Sequence, residues 1–343
     1  MSPVLRRLAA LLALALAAAG ADAAVGLTEL PTQGDDGPVT VFYPTKDVPG
    51  PVVRGPFHFQ LAWHGAPARG NGRLVVVSHG SGGAPWTHAA LASRLAEAGF
   101  TVALPEHRGD NWHDHADVGP ASWKRRPVEV SRAIDAVAAD ARLAPLLKLD
   151  RVGVFGMSAG GHTALTLAGG RWSPAALMKH CDAHLDDDFP SCVGLALQLR
   201  GDFLDGPKKS VARFAIHHKL DDATWYTHTD PRVAAIVAEV PFAVDFDPAS
   251  LAHPRMPLGL VRNGRDAWLA PAFHVTRVLQ ACAGCTLVSD LPTAGHGSLM
   301  EPPPPGLTGA AAALLNDPPG FDRALVKTAH ARIVAFFVQH LLP

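Results

Sequence analysis

Short apolar runs alternate along the chain with stretches whose polar and apolar positions suit helices. The runs LVVVSHG, TVALPEH and RVGVFG cover residues 74–80, 101–107 and 151–156, and helices are predicted at 87–98 and 158–168. A strand that is apolar at nearly every position is buried on both faces, which is typical of a parallel sheet covered by helices. The alternation therefore predicts a doubly wound domain of the α/β class.

The same alternation continues on both sides of these runs. VTVFYP and FHFQLAW predict an opening pair of strands, and three later strands and a last helix are predicted at 234–242, 257–264, 285–291 and 324–342. A helix is also predicted at 127–141, with Pro127 in its first turn and the basic residues of KRRP forming a solvated helix start.

Residues 169–230 break the alternation, because they contain no clean strand. A long insertion in a compact domain is usually functional, so this segment is predicted to be a helical or loop lid over a site. A surface excursion without a role is the alternative.

The first residues have the pattern of an exported precursor. Arg6 and Arg7 precede an apolar run over residues 8–19, and Ala21-Asp22-Ala23 fits the small-x-small cleavage pattern. The run is short for a membrane span, although an N-terminal anchor is the alternative. We therefore expect a signal peptide at 1–23 and an exported domain at 24–343, periplasmic or extracellular and without a stable membrane anchor.

Composition narrows the classes of partner and predicts disulfides. The formal net charge is −1, which gives no electrostatic reason to expect nucleic acid or an anionic membrane as a partner. Four cysteines in an exported chain suggest two disulfides. Of the three possible pairings we favour the local one, Cys181–Cys192 and Cys282–Cys285. A redox role for CAGC is the alternative, but redox thiolates sit at helix N-termini and this motif follows a predicted helix. No second CxxC or spaced histidine pair suggests zinc.

A G-x-S-x-G motif at residues 156–160 lies between a predicted strand and a predicted helix. At such a turn the serine hydroxyl is exposed above the edge of the sheet, and the flanking glycines avoid collisions with the neighbouring strand and helix. The motif alone is weak in a chain with 32 glycines. Its position makes Ser158 a candidate nucleophile.

A serine nucleophile needs a base and a group that orients the base. His296 follows the last predicted strand, and Asp266 follows the strand before it. The order Ser–Asp–His on successive strands matches one known architecture, and active sites of α/β proteins lie at this edge of the sheet. The glycines of HGSGG at 79–83 let the backbone approach a substrate closely and point an amide at its oxygen. The amides of Ser81 and Ala159 are therefore the predicted oxyanion donors.

These motifs resemble those of the α/β-hydrolases, over essentially all of the mature chain. More narrowly, the chain is similar to the bacterial exported "predicted dienelactone hydrolase" group, which is related to platelet-activating factor acetylhydrolases and polyester hydrolases. The resemblance rests on VVVSHGSGG, LAEAGFTVALPEH, VGVFGMSAGGHTAL, PRVAAIVAEVP, NGRDAWLAP and AGHGS.

The resemblance implies an α/β-hydrolase fold, with a mostly parallel central sheet flanked by helices and a lid insertion at 169–230. It also implies a cofactor-free esterase with Ser158 as nucleophile, Asp266 as acid and His296 as base. Asp245 is the alternative acid, because the acetylhydrolase branch can take its acid from the preceding strand. Dienelactone hydrolases use a cysteine nucleophile, so Ser158 argues against that particular reaction.

Large apolar side chains gather in loops near the same edge. Trp86, Trp112, Trp123 and Trp268, with Met157 beside the nucleophile, are predicted to form an apolar substrate pocket. Packing of the lid by these tryptophans is the alternative. The loop HRGDNWHDH at 107–115 is predicted to line the pocket. Its spacing fits no standard set of metal ligands, and no metal is expected.

The expected function is hydrolysis of small-molecule or polymeric carboxylic esters through an acyl-enzyme intermediate, without a cofactor. Acyl transfer or peptide cleavage on the same triad is one alternative. A non-catalytic α/β-hydrolase used for binding is another.

Overall fold

Ten β-strands form one sheet in the computed structural model, which describes residues 24–31 and 34–343. The predicted signal peptide at 1–23 lies outside the described residues. The strands are β1 Ala24–Leu30, β2 Val39–Thr45, β3 Gly50–Arg54, β4 Phe57–Trp63, β5 Leu74–Ser78, β6 Thr101–Pro105, β7 Val152–Met157, β8 Val233–Glu239, β9 Leu258–Asn263 and β10 Thr286–Leu291. Their order in the sheet is β10-β9-β8-β7-β5-β6-β2-β1-β4-β3.

Helices of the described residues cover the sheet and form the insertion. They are α1 Ala89–Glu97, α2 Pro120–Ala139, α3 Ala159–Leu167, α4 Pro174–His184, α5 Phe189–Val193, α6 Asp205–Lys219, α7 Val275–Ala281, α8 Gly309–Leu315 and α9 Ala324–Leu341. Short 3-10 helices lie at Pro85–His88, Ala144–Leu146 and Pro248–Leu251. No helix in this described part of the chain is long and apolar enough to span a bilayer.

The strands from β5 to β10 pair with one another only in parallel, and their side chains pack on both faces of the sheet. Val75 and Val77 of β5 belong to the core that includes α1 and α9, whereas Val76 belongs to the core that includes α2 and α3. Burial on both faces explains why these strands are apolar at nearly every position. The predicted α/β class and the mostly parallel sheet are confirmed.

The N-terminal part of the sheet differs from the predicted opening pair. β2 pairs with β1 and β6, and β4 pairs with β1 and β3, so the two predicted strands are not neighbours. β1, with the sequence AVGLTEL, lies between them in the sheet. The expectation was wrong because β1 directly follows the predicted signal peptide and was not recognised as a strand.

Helix α2 begins at Pro120, seven residues before the predicted start, and Pro127 lies inside it. Gly119, with φ 95°, turns the chain into the helix. An internal proline usually interrupts a helix, because it lacks the amide and crowds the preceding turn. Here the turn before Pro127 carries Trp123 and Arg126, both buried against the core. Tertiary contacts therefore hold the helix together through the proline, and KRRP is not a solvated helix start.

Residues 169–230 contain α4, α5 and α6 and connect β7–α3 to β8. Trp172 and Tyr226, near the two ends of this insertion, exchange backbone hydrogen bonds of 3.0 and 2.8 Å. The Cys181–Cys192 disulfide joins α4 to α5, and a second disulfide joins Cys282 to Cys285 after α7. Both are the pairs that the spacing favours.

Candidate active site

Ser158 occupies a strained turn between β7 and α3. Its φ of 59° and ψ of −116° lie in a region that L-residues rarely adopt. Such a conformation costs of order 1–3 kcal/mol and persists only where the surroundings impose it. The amide of Ser158 donates to the Glu239 carbonyl at 3.0 Å, and its carbonyl accepts from the amides of His162 at 2.9 Å and Phe242 at 3.2 Å.

The two glycines of the motif are required by close backbone contacts. A Cβ atom at Gly156 would lie 1.9 Å from the carbonyl oxygen of Gly160, and one at Gly160 would lie 1.9 Å from that of Ser78. Either substitution forces the strand–turn–helix unit apart, because the opposing atoms belong to the backbone. The turn that presents Ser158 therefore depends on glycine at both positions.

The structure brings His296 and Asp266 together. The His296 Nδ1 atom lies 2.7 Å from Asp266 Oδ2, and both side chains are buried. The other oxygen, Asp266 Oδ1, accepts from the amides of Trp268 at 2.9 Å and Leu269 at 2.8 Å. Because an ionised carboxylate only accepts, Nδ1 is the donor in this bond, so in a neutral imidazole ring Nε2 is the nitrogen that accepts.

His296 lies in the same cavity wall as Ser158, at the C-terminal ends of the parallel strands. Its loop is held by the Asn263 side-chain amide, which donates to the Gly295 carbonyl at 2.9 Å. The Ser298 hydroxyl accepts from the Gly295 amide at 2.8 Å. Buried hydrogen-bonding side chains therefore hold the loop that places His296 next to Asp266.

Asp245, the alternative acid, has a different partner. Its Oδ2 atom accepts from His162 Nε2 at 3.0 Å, and both side chains are fully buried. The His162 ring stacks on Trp123 with ring centroids 4.8 Å apart. The Asp245–His162 pair therefore belongs to the packing beneath α3, and Asp266 is the carboxylate placed on His296.

The predicted oxyanion donors come from two segments, the start of α3 and the loop after β5. Ala159 is the first residue of α3, so its amide has no carbonyl acceptor within the helix. Ser81 lies in the loop after β5, where its hydroxyl donates to Asp110 Oδ1 at 2.6 Å. The Gly82 amide donates to the same oxygen at 2.9 Å. Asp110 thus fixes the backbone that carries the Ser81 amide.

A buried arginine, which was not predicted from the sequence, supports this loop. The Arg126 guanidinium donates to the His79 carbonyl at 2.6 Å, the Gly80 carbonyl at 3.3 Å and Asp110 Oδ2 at 2.9 Å. Burial alone would raise the pKa of Asp110, but Arg126 and the hydroxyls of Ser81 and Ser122 hold it well below its usual range. The loop 107–115 therefore contributes a structural carboxylate to the site. In the sequence, Arg126 looks like one of several exposed basic residues, because the groups that accept its hydrogen bonds come from distant segments.

Two apolar cavities meet at Ser158. The first, which we call the His296 cavity, has a volume of about 260 Å³ and is lined by His296, Met157, Trp86 and Trp112 among others. The second, the insertion cavity, has a volume of about 370 Å³ and is lined by Ala159, Trp123 and residues of α4, α5 and α6. Ser81, Ser158 and Trp268 line both. All four tryptophans that the sequence singled out therefore line one cavity or both.

Glu239 is a buried carboxyl at the end of β8, and the sequence did not single it out. Only 2% of the residue is exposed, and its Oε1 atom has no hydrogen-bond partner among the described residues. Burial, with a smaller contribution from the nearby charge of Asp266, raises the pKa of Glu239 to about 8. At neutral pH this side chain is therefore a neutral acid beside the His296–Asp266 pair.

The dienelactone hydrolase family model matches residues 61–181, a span that includes Ser158 and ends before Asp266 and His296. Among solved structures, a ferulic acid esterase from Streptomyces cinnamoneus is similar with a TM-score of 0.61 and 17% identity, over 94% of this chain and 91% of that one. A protein from Klebsiella pneumoniae subsp. pneumoniae, provisionally assigned as a dienelactone hydrolase, has a TM-score of 0.51 and 16% identity, over 92% and 98%. No curated protein matches the sequence at a significant level. The sheet order, the strand–serine–helix turn and these similarities together show that the chain has the α/β-hydrolase fold.

Proposed function

We propose that this protein is an exported serine hydrolase that cleaves carboxylic esters. One observation carries the proposal: Ser158, held at positive φ, shares a cavity with His296, whose Nδ1 atom is bonded to Asp266 at 2.7 Å. A strained serine that lines a cavity, an imidazole and an orienting carboxylate form the set that acyl-transfer chemistry requires.

In the proposed reaction His296 Nε2 takes the proton of the Ser158 hydroxyl as its oxygen attacks the ester carbonyl. The amides of Ser81 and Ala159 donate to the oxyanion that forms, and Asp266 stabilises the imidazolium. His296 then donates its proton to the leaving alcohol, and water releases the acyl group by the same steps in reverse.

Similarity favours ester hydrolysis among the reactions that such a triad can perform. One similar structure is described as a ferulic acid esterase, and the family model over residues 61–181 is that of hydrolases. The nucleophile is serine, which argues against the cysteine-dependent dienelactone reaction. The two disulfides are compatible with an oxidising, exported location.

The test is hydrolysis of p-nitrophenyl esters of increasing acyl length by the protein and by Ser158→Ala. We expect kcat/KM to fall at least about 1000-fold in the variant, because the nucleophile acts as a unit with its base. Ser210→Ala, an exposed serine on α6, is the matched control and should keep full activity. Full turnover by Ser158→Ala would contradict the proposal.

Labelling with a fluorophosphonate tests the nucleophile independently of the substrate. We expect one adduct, at Ser158, and slower labelling in His296→Ala because the base is missing. Labelling should also decline at acid pH, since a protonated imidazole cannot accept the serine proton. A protein that folds but forms no adduct at Ser158 would be a binding protein instead of an esterase.

A further inference from the structure

Two separate cavities reach Ser158. An ester that bound through its acyl group alone, or through its alcohol alone, would fill only one of them. We propose that they divide the substrate: an aliphatic acyl group lies in the insertion cavity, and an aromatic leaving alcohol lies in the His296 cavity. This assignment rests on the proposed esterase function and goes beyond it by naming the chemical class that each cavity accepts.

The position of the base places the leaving alcohol. In ester cleavage the bond between the carbonyl carbon and the alkoxy oxygen breaks, and the proton that His296 took from Ser158 passes to that oxygen. The departing oxygen must therefore lie within hydrogen-bond reach of His296. Of the two cavities, His296 lines only the first. The alcohol consequently leaves through the His296 cavity.

The oxyanion donors place the acyl group. After the alcohol departs, the acyl carbon stays bonded to Ser158, and its carbonyl oxygen returns to the oxyanion donors during deacylation. Ala159 lines only the insertion cavity, whereas Ser81 lies at the junction of the two. An acyl group whose carbonyl reaches both amides, and whose alcohol points to His296, extends into the insertion cavity.

The cavity walls differ in the way that this division requires. The part of the insertion cavity that the insertion itself contributes is mainly aliphatic, with Leu177, Val193, Leu197, Ile216 and Leu220, while the domain outside the insertion adds the rings of Trp123, Phe242 and the shared Trp268. Such a wall suits a saturated chain. The rings of Phe57, Trp86 and Trp112 line the His296 cavity and not the insertion cavity, and they suit a planar aromatic group. Its arginine, Arg54, is paired with Glu29 at 3.2 Å, so it offers little net charge to a substrate.

Two filling substitutions separate the cavities experimentally. Ala215 is half-buried on α6 and lines the insertion cavity, whereas half-buried Leu307 lines the His296 cavity. The substrates form two series: p-nitrophenyl acetate to decanoate, which vary the acyl group, and methyl, phenyl and naphthyl acetates, which vary the alcohol. Ser210→Trp, on the exposed face of α6, is the control for a tryptophan on the same helix.

We expect Ala215→Trp to lower kcat/KM for decanoate relative to acetate at least tenfold, because excluding a few methylene groups changes discrimination by about 10–200-fold. Its naphthyl-to-methyl ratio should stay within about twofold of wild type, well below that range. Leu307→Trp should show the opposite pattern, and Ser210→Trp should change neither ratio.

The assignment would be overturned if Ala215→Trp changed the naphthyl-to-methyl ratio of kcat/KM instead of the decanoate-to-acetate ratio. An unchanged acyl ratio in a folded Ala215→Trp protein, as judged by its circular dichroism and melting temperature, would also overturn it. Failure of the proposed function looks different, because then no ester in either series would be cleaved in a Ser158-dependent way.

Discussion

At the residue scale, the most demanding side chain outside the proposed triad is Arg126. Its guanidinium is fully buried and reaches two carbonyls of the HGSGG loop and the Asp110 carboxylate at once. Only a planar fork with several N–H donors can satisfy acceptors in these directions, and an ammonium group cannot replace it. Arg126 is therefore a positioning residue that acts through the backbone of Ser81.

We expect Arg126→Lys to lower kcat about 10- to 100-fold with little change in KM, because losing an oxyanion donor outright costs about 10²–10³ in kcat and here the donor is only displaced. Steady-state kinetics on a short p-nitrophenyl ester measures the split. Arg125→Lys is the matched control, since the neighbouring side chain is about one-third exposed and pairs with Asp117. A loss of thermal stability with unchanged kcat would instead make Arg126 purely structural.

Glu239 makes a second prediction at this scale, concerning stability and pH. Its carboxyl has a pKa of about 8 when folded, against an ordinary value of 4.5. Between these values only the folded state holds the proton, so stability falls as the pH rises through this window, by up to about 1.4 kcal/mol per pH unit. Below the window both states are protonated, and above it both are ionised.

Glu239→Gln has no proton to lose, so its free energy of unfolding should rise relative to wild type between pH 4.5 and 8 and then level off. Urea denaturation at half-unit pH steps measures the difference. Asp221→Asn, which removes an exposed carboxylate between α6 and β8, should track wild type across the range. A pH-independent difference between Glu239→Gln and wild type would show that Glu239 is ionised in the folded protein.

Sequence reasoning reached the residues whose chemistry is local and missed those whose role depends on distant partners. Ser158 is identifiable because its motif, its strand and its helix are contiguous. Arg126 and Glu239 are not, because the partners that explain their burial lie in other segments. The fit of Asp266 to His296, and of Asp245 to His162, likewise depends on side-chain directions that strand order alone does not determine.

At the element scale, one disulfide cross-links two helices of the insertion. Cys181–Cys192 joins α4 to α5 across a separation of 11 residues, whereas Cys282–Cys285 closes a separation of only 3. Cys192 also lines the insertion cavity. The first disulfide is therefore placed to shape the wall of that cavity, and the second merely shortens the turn between α7 and β10.

Replacing both Cys181 and Cys192 by Ala should destabilise the insertion by about 3 kcal/mol, and the matched Cys282/Cys285 pair should cost about 2 kcal/mol, from the loop lengths alone. Limited proteolysis with mass spectrometry should detect new cleavage within 169–230 only in the first variant. Equal protection of the insertion in both double variants would show that packing, and not the disulfide, holds these helices.

Strands buried on both faces were predictable to within a few residues: the run 74–80 begins where β5, Leu74–Ser78, begins and extends two residues past its end. The start of α2 was not, because Pro120 and Pro127 are equally plausible first-turn prolines in the sequence. The choice between them is made by Trp123 and Arg126, which are buried by tertiary contacts. The insertion helices have weaker patterns for a similar reason, since they face the insertion cavity as well as the core.

At the scale of the whole molecule, the described fold begins with a strand inside the sheet. β1 starts at Ala24 and pairs along its length with β2, from Ala24 opposite Thr45 to Leu30 opposite Val39. The predicted signal-peptide cleavage after Ala23 would leave this strand whole. Cleavage a few residues later would remove paired backbone from between β2 and β4.

We therefore expect the exported protein to begin at Ala24. Intact-mass measurement and N-terminal sequencing of protein recovered from the periplasm or medium give the cleavage site. A variant with Ala21 and Ala23 both replaced by Gln should remain uncleaved, because the small-x-small pattern is lost. An exported product that begins beyond Leu30 would contradict the expected cleavage site.

The order of the ten strands could not be obtained from the sequence, since neighbours such as β7 and β5 are joined by long-range pairing. The class of fold could be predicted from the sequence, because the buried parallel strands are apolar at nearly every position and alternate along the chain with helical segments. The placement of the site followed from the class, since the carboxyl ends of parallel strands meet at one edge.

Backbone hydrogen bonds between Trp172 and Tyr226 hold the two ends of the insertion together, and this has a consequence for redesign. A contiguous segment whose two ends pair with each other can be exchanged for another without reconnecting the loops that carry Ser158, Asp266 and His296. Under the proposed division of the substrate, such an exchange would transplant acyl preference alone. Recognition of the alcohol would remain with the host domain, so the two halves of ester specificity could be engineered independently.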